Sequence, residues 1–255
     1  QAPLDRQLEP LGRRVMAAIA LQPGEQVLDV GCGAGATTLA LAQAVSPDGA
    51  ATGADISRPM LDIARTRSAG LPATFLEADA QTHPFPAGAF DAVFSRFGVM
   101  FFADPTAAFA NLRRALKPGG RLGFVCWRTP AENPVMTLPM AAALPLVATP
   151  PAPPEPGAPG PFAFADPERV RTILADAGFT HITVTPHDEK IGAGDLDTVL
   201  GLSLRIGPLG ALLRENPDQR DAVIEAVRVA LAPHEGPDGV KLDSATWIVT
   251  ASNPG

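Results

Sequence analysis

Cysteine is scarce: Cys32 and Cys126 are the only two in 255 residues, far apart and in no CxxC pair. That usage argues against a disulfide framework or a cysteine zinc site and fits a reducing compartment. The four histidines, His83, His181, His187 and His234, have no second histidine or carboxylate at metal-ligand spacing, so no metal is expected. Runs of Lys or Arg are missing as well, and the net charge is -7. A protein that grips a nucleic acid backbone needs a basic face, so nucleic acid is not an expected partner. No apolar run reaches transmembrane length and no signal peptide is visible, so the expectation is a cytoplasmic protein without a membrane span, monomeric or homodimeric. The chain opens at Gln1 without a methionine, and residues upstream are expected. It contains no internal repeat.

Hydrophobic residues make up 46% of the chain and charged residues 18%, enough at this length for a substantial buried core. Strand-like runs at 26–30, 50–56, 73–77, 90–95 and 121–127 alternate with helical patterns at 36–45, 58–69 and 104–116. Alternation of this kind implies βαβ units and a parallel sheet with helices on both faces. A helix over 4–21 leads in, ended by Pro23-Gly24.

After Trp127 the rhythm changes. Residues 145–161 hold eight prolines and read as an extended surface loop. Asp166 and Pro167 are the N-cap and first residue of a helix running to about Ala177, which Gly178 stops. Two further strands are expected at 180–191 and 245–251, with helical segments at 195–206 and 217–232 between them. Residues 1–255 are expected to form one domain, with lid elements at about 1–22, 130–165 and 195–232.

The stretch 31–36, GCGAGA, follows the first strand and satisfies G-x-G-x-x-G/A if Ala36 takes the last position. Such glycines let a nucleotide-like ligand approach the backbone, and a helix N-terminus behind them favours negative charge. Asp29, two residues before Gly31, disturbs a dinucleotide reading. A carboxylate beside the loop suits a ligand bearing an amine better than one bearing phosphates.

With Asp55 ending the second strand, Asp79 in EADAQ after the third, and LKPGGRLGF at 116–124, the sequence resembles the class I S-adenosylmethionine-dependent methyltransferases. FSRFGVMFFADP at 94–105 is closest to the small-molecule branch around the ubiquinone and menaquinone methyltransferases. The resemblance implies a Rossmann-like, seven-stranded, mostly parallel α/β sheet with an antiparallel last strand and inserted lid helices. It implies S-adenosylmethionine as cofactor, S-adenosylhomocysteine as product, and a cofactor site at Asp29, Gly31, Cys32, Gly33, Gly35, Asp55, Ile56, Met60, Asp79, Ala80, Ser95 and Arg96. Asp55 would take the ribose hydroxyls and Asp79 the adenine amine. The Asn/Asp-Pro-Pro-aromatic motif of DNA amino-methyltransferases is replaced here by Ser95-Arg96-Phe97-Gly98.

For the acceptor, Phe97, Phe101 and Trp127 are the expected pocket wall, with Arg205 as its cation. Leu138, Met140, Leu200, Leu202, Leu204, Ile206, Leu209 and Leu212 are expected to face it. That makeup favours a small hydrophobic or aromatic metabolite. No residue announces itself as a catalytic base; His83 and Arg205 are the weak catalytic candidates. Two other classes remain open: a non-catalytic domain that binds S-adenosylmethionine, and an NAD-dependent oxidoreductase.

Overall fold

Val27, Leu28 and Val30 are all buried, as are Ala92, Val93 and Phe94. Strands with so little polar alternation are covered on both faces, which is the habit of a central parallel sheet. A computed structural model of the protein describes residues 1–147, 155, 157–205 and 208–255. The chain folds into two compact units. The larger comprises residues 11–128, 157–187 and 246–255; the smaller comprises 1–10, 129–156 and 188–245.

In the larger unit β1 (Gln26–Val30), β2 (Ala50–Asp55), β3 (Ala73–Glu77), β4 (Phe90–Arg96) and β5 (Leu116–Trp127) pair in parallel in the order β3-β2-β1-β4-β5. Two later strands extend the sheet: β6 (Thr180–Gly194) at the edge and, after the two-residue β7 (Glu235–Gly236), β8 (Gly239–Ser252), inserted between β5 and β6. β8 runs antiparallel to β5, from Arg121 opposite Ser252 to Trp127 opposite Thr246. The expected seven strands are present, with β7 as a short addition. β5 starts at Leu116 rather than 121, because Leu116 pairs with Phe90 before the Pro118-Gly119 turn and a register shift restores the ladder at Ala92 and Arg121.

The helices α1 (Ala2–Ile19), α2 (Ala36–Val45), α3 (Arg58–Arg67) and α4 (Pro105–Ala115) start or stop within a few residues of expectation. Leu11, Val15 and Ile19 recur every fourth residue and are buried; Gly123 of β5 leaves room for Val15 and Ile19. The Asp104 carboxylate accepts from Ala107 N–H at 3.0 Å, with Pro105 in the first turn of α4. α5 (Pro134–Ala143) was not expected, since Pro134 and Pro139 break the apolar pattern. Its start is held by buried Asn133, whose amide donates to Ala245 O at 2.9 Å and accepts from Ala245 N–H at 2.8 Å. α6 (Pro167–Asp176) is capped as read: Asp166 accepts from Glu168 N–H at 2.9 Å.

The segment read as one helix over 195–206 stops early. α7 (Leu196–Ser203), capped by Asp195 through Thr198 N–H, is followed by a separate helix, α8 (Pro208–Glu215). α9 (Arg220–Leu231) completes the smaller unit. Its core gathers Val199, Leu200, Leu209, Leu212, Val223, Val227 and Leu231. Leu200, Leu209 and Leu212, expected to face an acceptor, are thus buried among their own helices, with Leu138, Met140, Leu202 and Leu204 packed partly buried against them. Ile206 and residues 148–154 and 156 of the proline-rich stretch lie outside the described residues. Before that stretch, Leu144–Leu146 form one 3-10 turn. Among the described residues no helix is long and apolar enough to cross a membrane, and no three His, Cys, Asp or Glu side chains group as metal ligands.

Candidate cofactor cleft at the strand ends

Two glycines build the floor of the site. Gly31, after β1, has φ +71°, and a Cβ there would stand 2.7 Å from Gly98 Cα. A Cβ on Gly98, after β4, would meet Val30 O at 2.6 Å. The two loops therefore touch backbone to backbone, which only glycine permits on both sides. Ser95 fastens them: its hydroxyl donates to Val30 O at 2.8 Å and accepts from Gly98 N–H at 3.2 Å. Expected at the cofactor, Ser95 is instead fully buried beneath the loops, and its hydroxyl is spent on the protein itself.

Above this floor opens a cleft of about 350 Å³ at the carboxyl ends of β1, β2 and β4, where open α/β sheets bind ligands. Asp55 and Asp79 both line it. Asp55 accepts from Gly33 N–H and from Ser57 N–H, each at 2.8 Å, one on each oxygen. A carboxylate has about four acceptor positions, so both oxygens retain lone pairs for a ligand hydroxyl. Ile56, 74% exposed, and Ala80 stand at the same rim, together with Arg96 at the end of β4.

The opposite wall is aromatic. Phe97 has φ +63°, a conformation that costs a side-chain-bearing residue about 1–3 kcal/mol and must be held by its surroundings. Phe97 N–H donates to Val125 O at 3.1 Å, and its ring stacks on Trp127 at 4.2 Å and 10°. Further along the same loop, Phe101, 55% exposed, and Phe102 also line the cleft. Trp127 is buried behind Phe97 and supports the wall from the rear.

The remaining glycine-loop residues shape the site from beneath, outside its lining. Asp29 has no exposed surface; Thr37 and Thr38 hydroxyls both donate to its Oδ2 at 2.6 Å, and its Oδ1 has no hydrogen-bond partner. Burial pushes the carboxyl up to about 6, against the two threonine bonds and the Arg96 charge. Cys32 packs against Gly53, and burial first, then the Asp29 and Asp55 charges, raise its thiol well above the ordinary range. Gly35 is pressed against Ala64 and Phe75, while Met60 stands beside Gly33.

His83, one of the weak catalytic candidates, is not among the residues that line the cleft. The His83 ring meets Phe85 edge-on at 4.6 Å, and its carbonyl accepts from Asn111. Arg205 belongs to the smaller unit, is exposed, and turns back to donate from Nε to Gly201 O at 2.9 Å, which caps its own helix. Sequence reasoning missed Gln81 and Gly98, both in the lining. Only Gly98 left a signal, as a glycine three residues past the expected strand 90–95.

These groups discriminate between ligands. In a dinucleotide site the loop N–H groups face a pyrophosphate. Here Gly33 N–H is taken by the Asp55 carboxylate, and Asp79 adds a second negative charge to the lining. A ligand with a ribose diol, an aminopurine and cationic groups fits that rim, and a doubly anionic phosphate pair does not. Fold and cleft thus define a Rossmann-like sheet with an acidic cleft at its carboxyl edge.

Residues 27–120 match the family described as "Methyltransferase domain". The chain is 45% identical over 113 residues to a demethylmenaquinone methyltransferase of Thermus thermophilus, covering 43% of this chain and 51% of that protein. It is 29% identical over 235 residues to nocamycin O-methyltransferase of Saccharothrix syringae, covering 88% and 84%. Among solved structures, a SAM dependent methyltransferase from Aquifex aeolicus aligns with TM-score 0.53 and 22% identity, over 75% of this chain and 88% of that one. Apart from the nocamycin enzyme, the chain spans between about a third and about half the length of the first curated relatives it matches. Residues 27–120 thus resemble a methyltransferase domain, and the fold is the one seen in a SAM dependent methyltransferase.

Proposed function

We propose that this protein transfers a methyl group from S-adenosylmethionine to an O, N, S or C nucleophile of a small hydrophobic or aromatic metabolite. The observation that carries the reading is one cleft with two chemistries. Asp55 and Asp79 stand on its rim, and Phe97, Phe101 and Phe102 on its wall. Bound S-adenosylmethionine supplies a methyl on a sulfonium, already a good leaving group, so orientation and exclusion of water are the main tasks left to the chain. Asp55 and Asp79 hold the nucleoside end. The Phe97–Trp127 stack keeps the wall rigid and apolar beside the reacting centre.

The ionisable side chains lining the cleft are Asp55, Asp79 and Arg96. Among the described residues no imidazole lines the cleft, and we read the acceptor as one that ionises readily itself, such as a phenol or hydroquinone. The names of the two relatives point the same way, one to a quinone and one to oxygen methylation. Segments 130–165 and 195–232 are proposed to select the acceptor. The acidic rim and the net charge of -7 favour a small molecule over nucleic acid, and two free, buried cysteines suit the cytoplasm.

The test is turnover. Purified protein is incubated with S-adenosylmethionine and a panel of hydroquinones, phenols and polar amines, and S-adenosylhomocysteine and methylated product are followed by mass spectrometry. Methylation of the aromatic acceptors is expected. Turnover confined to polar amines refutes the acceptor class; tight NAD binding without S-adenosylmethionine binding refutes the whole reading.

A further inference from the structure

The two walls of the cleft are tied together by one side chain that the cofactor chemistry does not call for. Gln81 follows β3 and lines the cleft. Its backbone N–H donates to Asp79 Oδ1 at 2.9 Å, closing a tight turn. Its side-chain amide reaches both carboxylate oxygens of Asp79, at 3.3 and 3.4 Å. The other end of the same amide accepts from two successive N–H groups, Ala103 at 2.7 Å and Asp104 at 3.2 Å. Those two residues directly follow Phe101 and Phe102, and Asp104 caps α4. The amide has only one sensible orientation, since a flip would set its N–H₂ against two N–H donors. Asn111 of α4 adds a parallel tie, donating to Ala80 O at 3.1 Å and His83 O at 2.9 Å.

We propose that Gln81 is a positioning residue that couples occupancy of the nucleoside end at Asp79 to the placement of the Phe101–Phe102 wall. The inference rests on the cofactor reading above. A ligand amine drawn to Asp79 fixes that carboxylate, the carboxylate fixes the Gln81 N–H₂, and the Gln81 carbonyl fixes the Ala103 and Asp104 amides. Cofactor binding thereby orders the wall before an acceptor meets it.

The two ends of Gln81 can be separated by substitution. Gln81→Met removes both. Gln81→Glu keeps an oxygen for Ala103 and Asp104 and turns a second, anionic oxygen toward Asp79. S-adenosylhomocysteine affinity by calorimetry and residue-resolved hydrogen exchange, each with and without that ligand, are measured on wild type and both variants, with thermal melting as a check of folding. In wild type the ligand is expected to slow exchange across 99–104. In Gln81→Met the dissociation constant rises roughly three- to tenfold, and the ligand-dependent slowing across 99–104 disappears. In Gln81→Glu the loop stays protected without ligand, while affinity falls by roughly tenfold or more through the carboxylate pair. A merely structural glutamine would raise basal exchange yet leave the ligand-dependent slowing intact, and that result overturns the proposal. Should Gln81→Met fail to fold, wild-type affinity in Gln81→Glu overturns it equally. Wild type that does not bind S-adenosylhomocysteine at all overturns the cofactor reading as well, so the two failures are distinguishable.

Discussion

Replacing Asp29 with Asn should change how stability depends on pH. Asp29 has no exposed surface, and burial lifts its carboxyl from 3.8 to about 6. At ~1.4 kcal/mol per pH unit, the ionised form is about 3 kcal/mol less favourable in the folded chain than the protonated form, relative to the unfolded chain. The sign follows from proton counting. Between about pH 4 and 6 the folded state keeps a proton that the unfolded state has released, so stability falls as pH rises through that window. Below it the cost is absent, and by about pH 7 it is nearly complete. From about pH 5 to about pH 7.5 this one group should remove on the order of 1–2 kcal/mol. Asparagine at 29 stays neutral and keeps an oxygen for the Thr37 and Thr38 hydroxyls, so it should lack that slope. Asp91 and Asp195 act in the opposite sense. For Asp91 burial is outweighed by the Gln26 N–H and Lys117, and the Asp195 carboxyl is lowered by Thr198. Both stabilise the fold above their ordinary range and lose that contribution only as pH falls below it, and both cancel between wild type and variant. The assay is urea unfolding of both proteins at the two pH values. Equal pH dependence in the two would refute the argument. If a ligand ammonium reaches the unpartnered Oδ1, saturating S-adenosylhomocysteine should flatten the wild-type slope too.

Asp55→Ala should weaken S-adenosylhomocysteine binding by about 1.5–3 kcal/mol, since it removes a charged acceptor and releases Gly33 N–H and Ser57 N–H; an unchanged dissociation constant in calorimetry would reduce Asp55 to a cap. Gly31→Ala should cost about 2–4 kcal/mol in urea unfolding, as its Cβ would lie 2.7 Å from Gly98 Cα at φ +71°. Gly119→Ala, at φ +75° with nothing within 4 Å, should cost only the backbone penalty of about 1–2 kcal/mol; equal losses at the two sites would show that the loop contact is not tight. Arg205→Ala should leave cofactor affinity unchanged and turnover within about twofold, because the guanidinium is exposed and bonded to its own helix; a large fall in turnover would return Arg205 to the acceptor site.

The nearly unbroken apolar runs of β1 and β4 and the Asp166-Pro167 helix start made most of the sheet and the start of α6 legible. The signal failed where proline misled. Pro134 and Pro139 hid α5, whose start depends on a buried Asn133 bonded to Ala245, more than a hundred positions away. Spacing in the chain cannot report such a pair. The lid leucines show a second failure, because an apolar helical stripe looks the same whether it faces a pocket or a neighbouring helix.

What the sequence determined alone was the order of the βαβ units, the glycine loop, and the two carboxylates at the ends of β2 and β3, because strand period, glycine and chain position dictate these locally. Tertiary structure decided which polar atoms remain for a ligand. It turned Asp29 toward Thr37 and Thr38, spent the Ser95 hydroxyl beneath the floor, turned Arg205 back on its own helix, and set Gln81 between Asp79 and the amides before α4. The reason is physical. A residue type states what a side chain can bond, but a buried or crowded polar group bonds whatever the fold brings within about 3 Å.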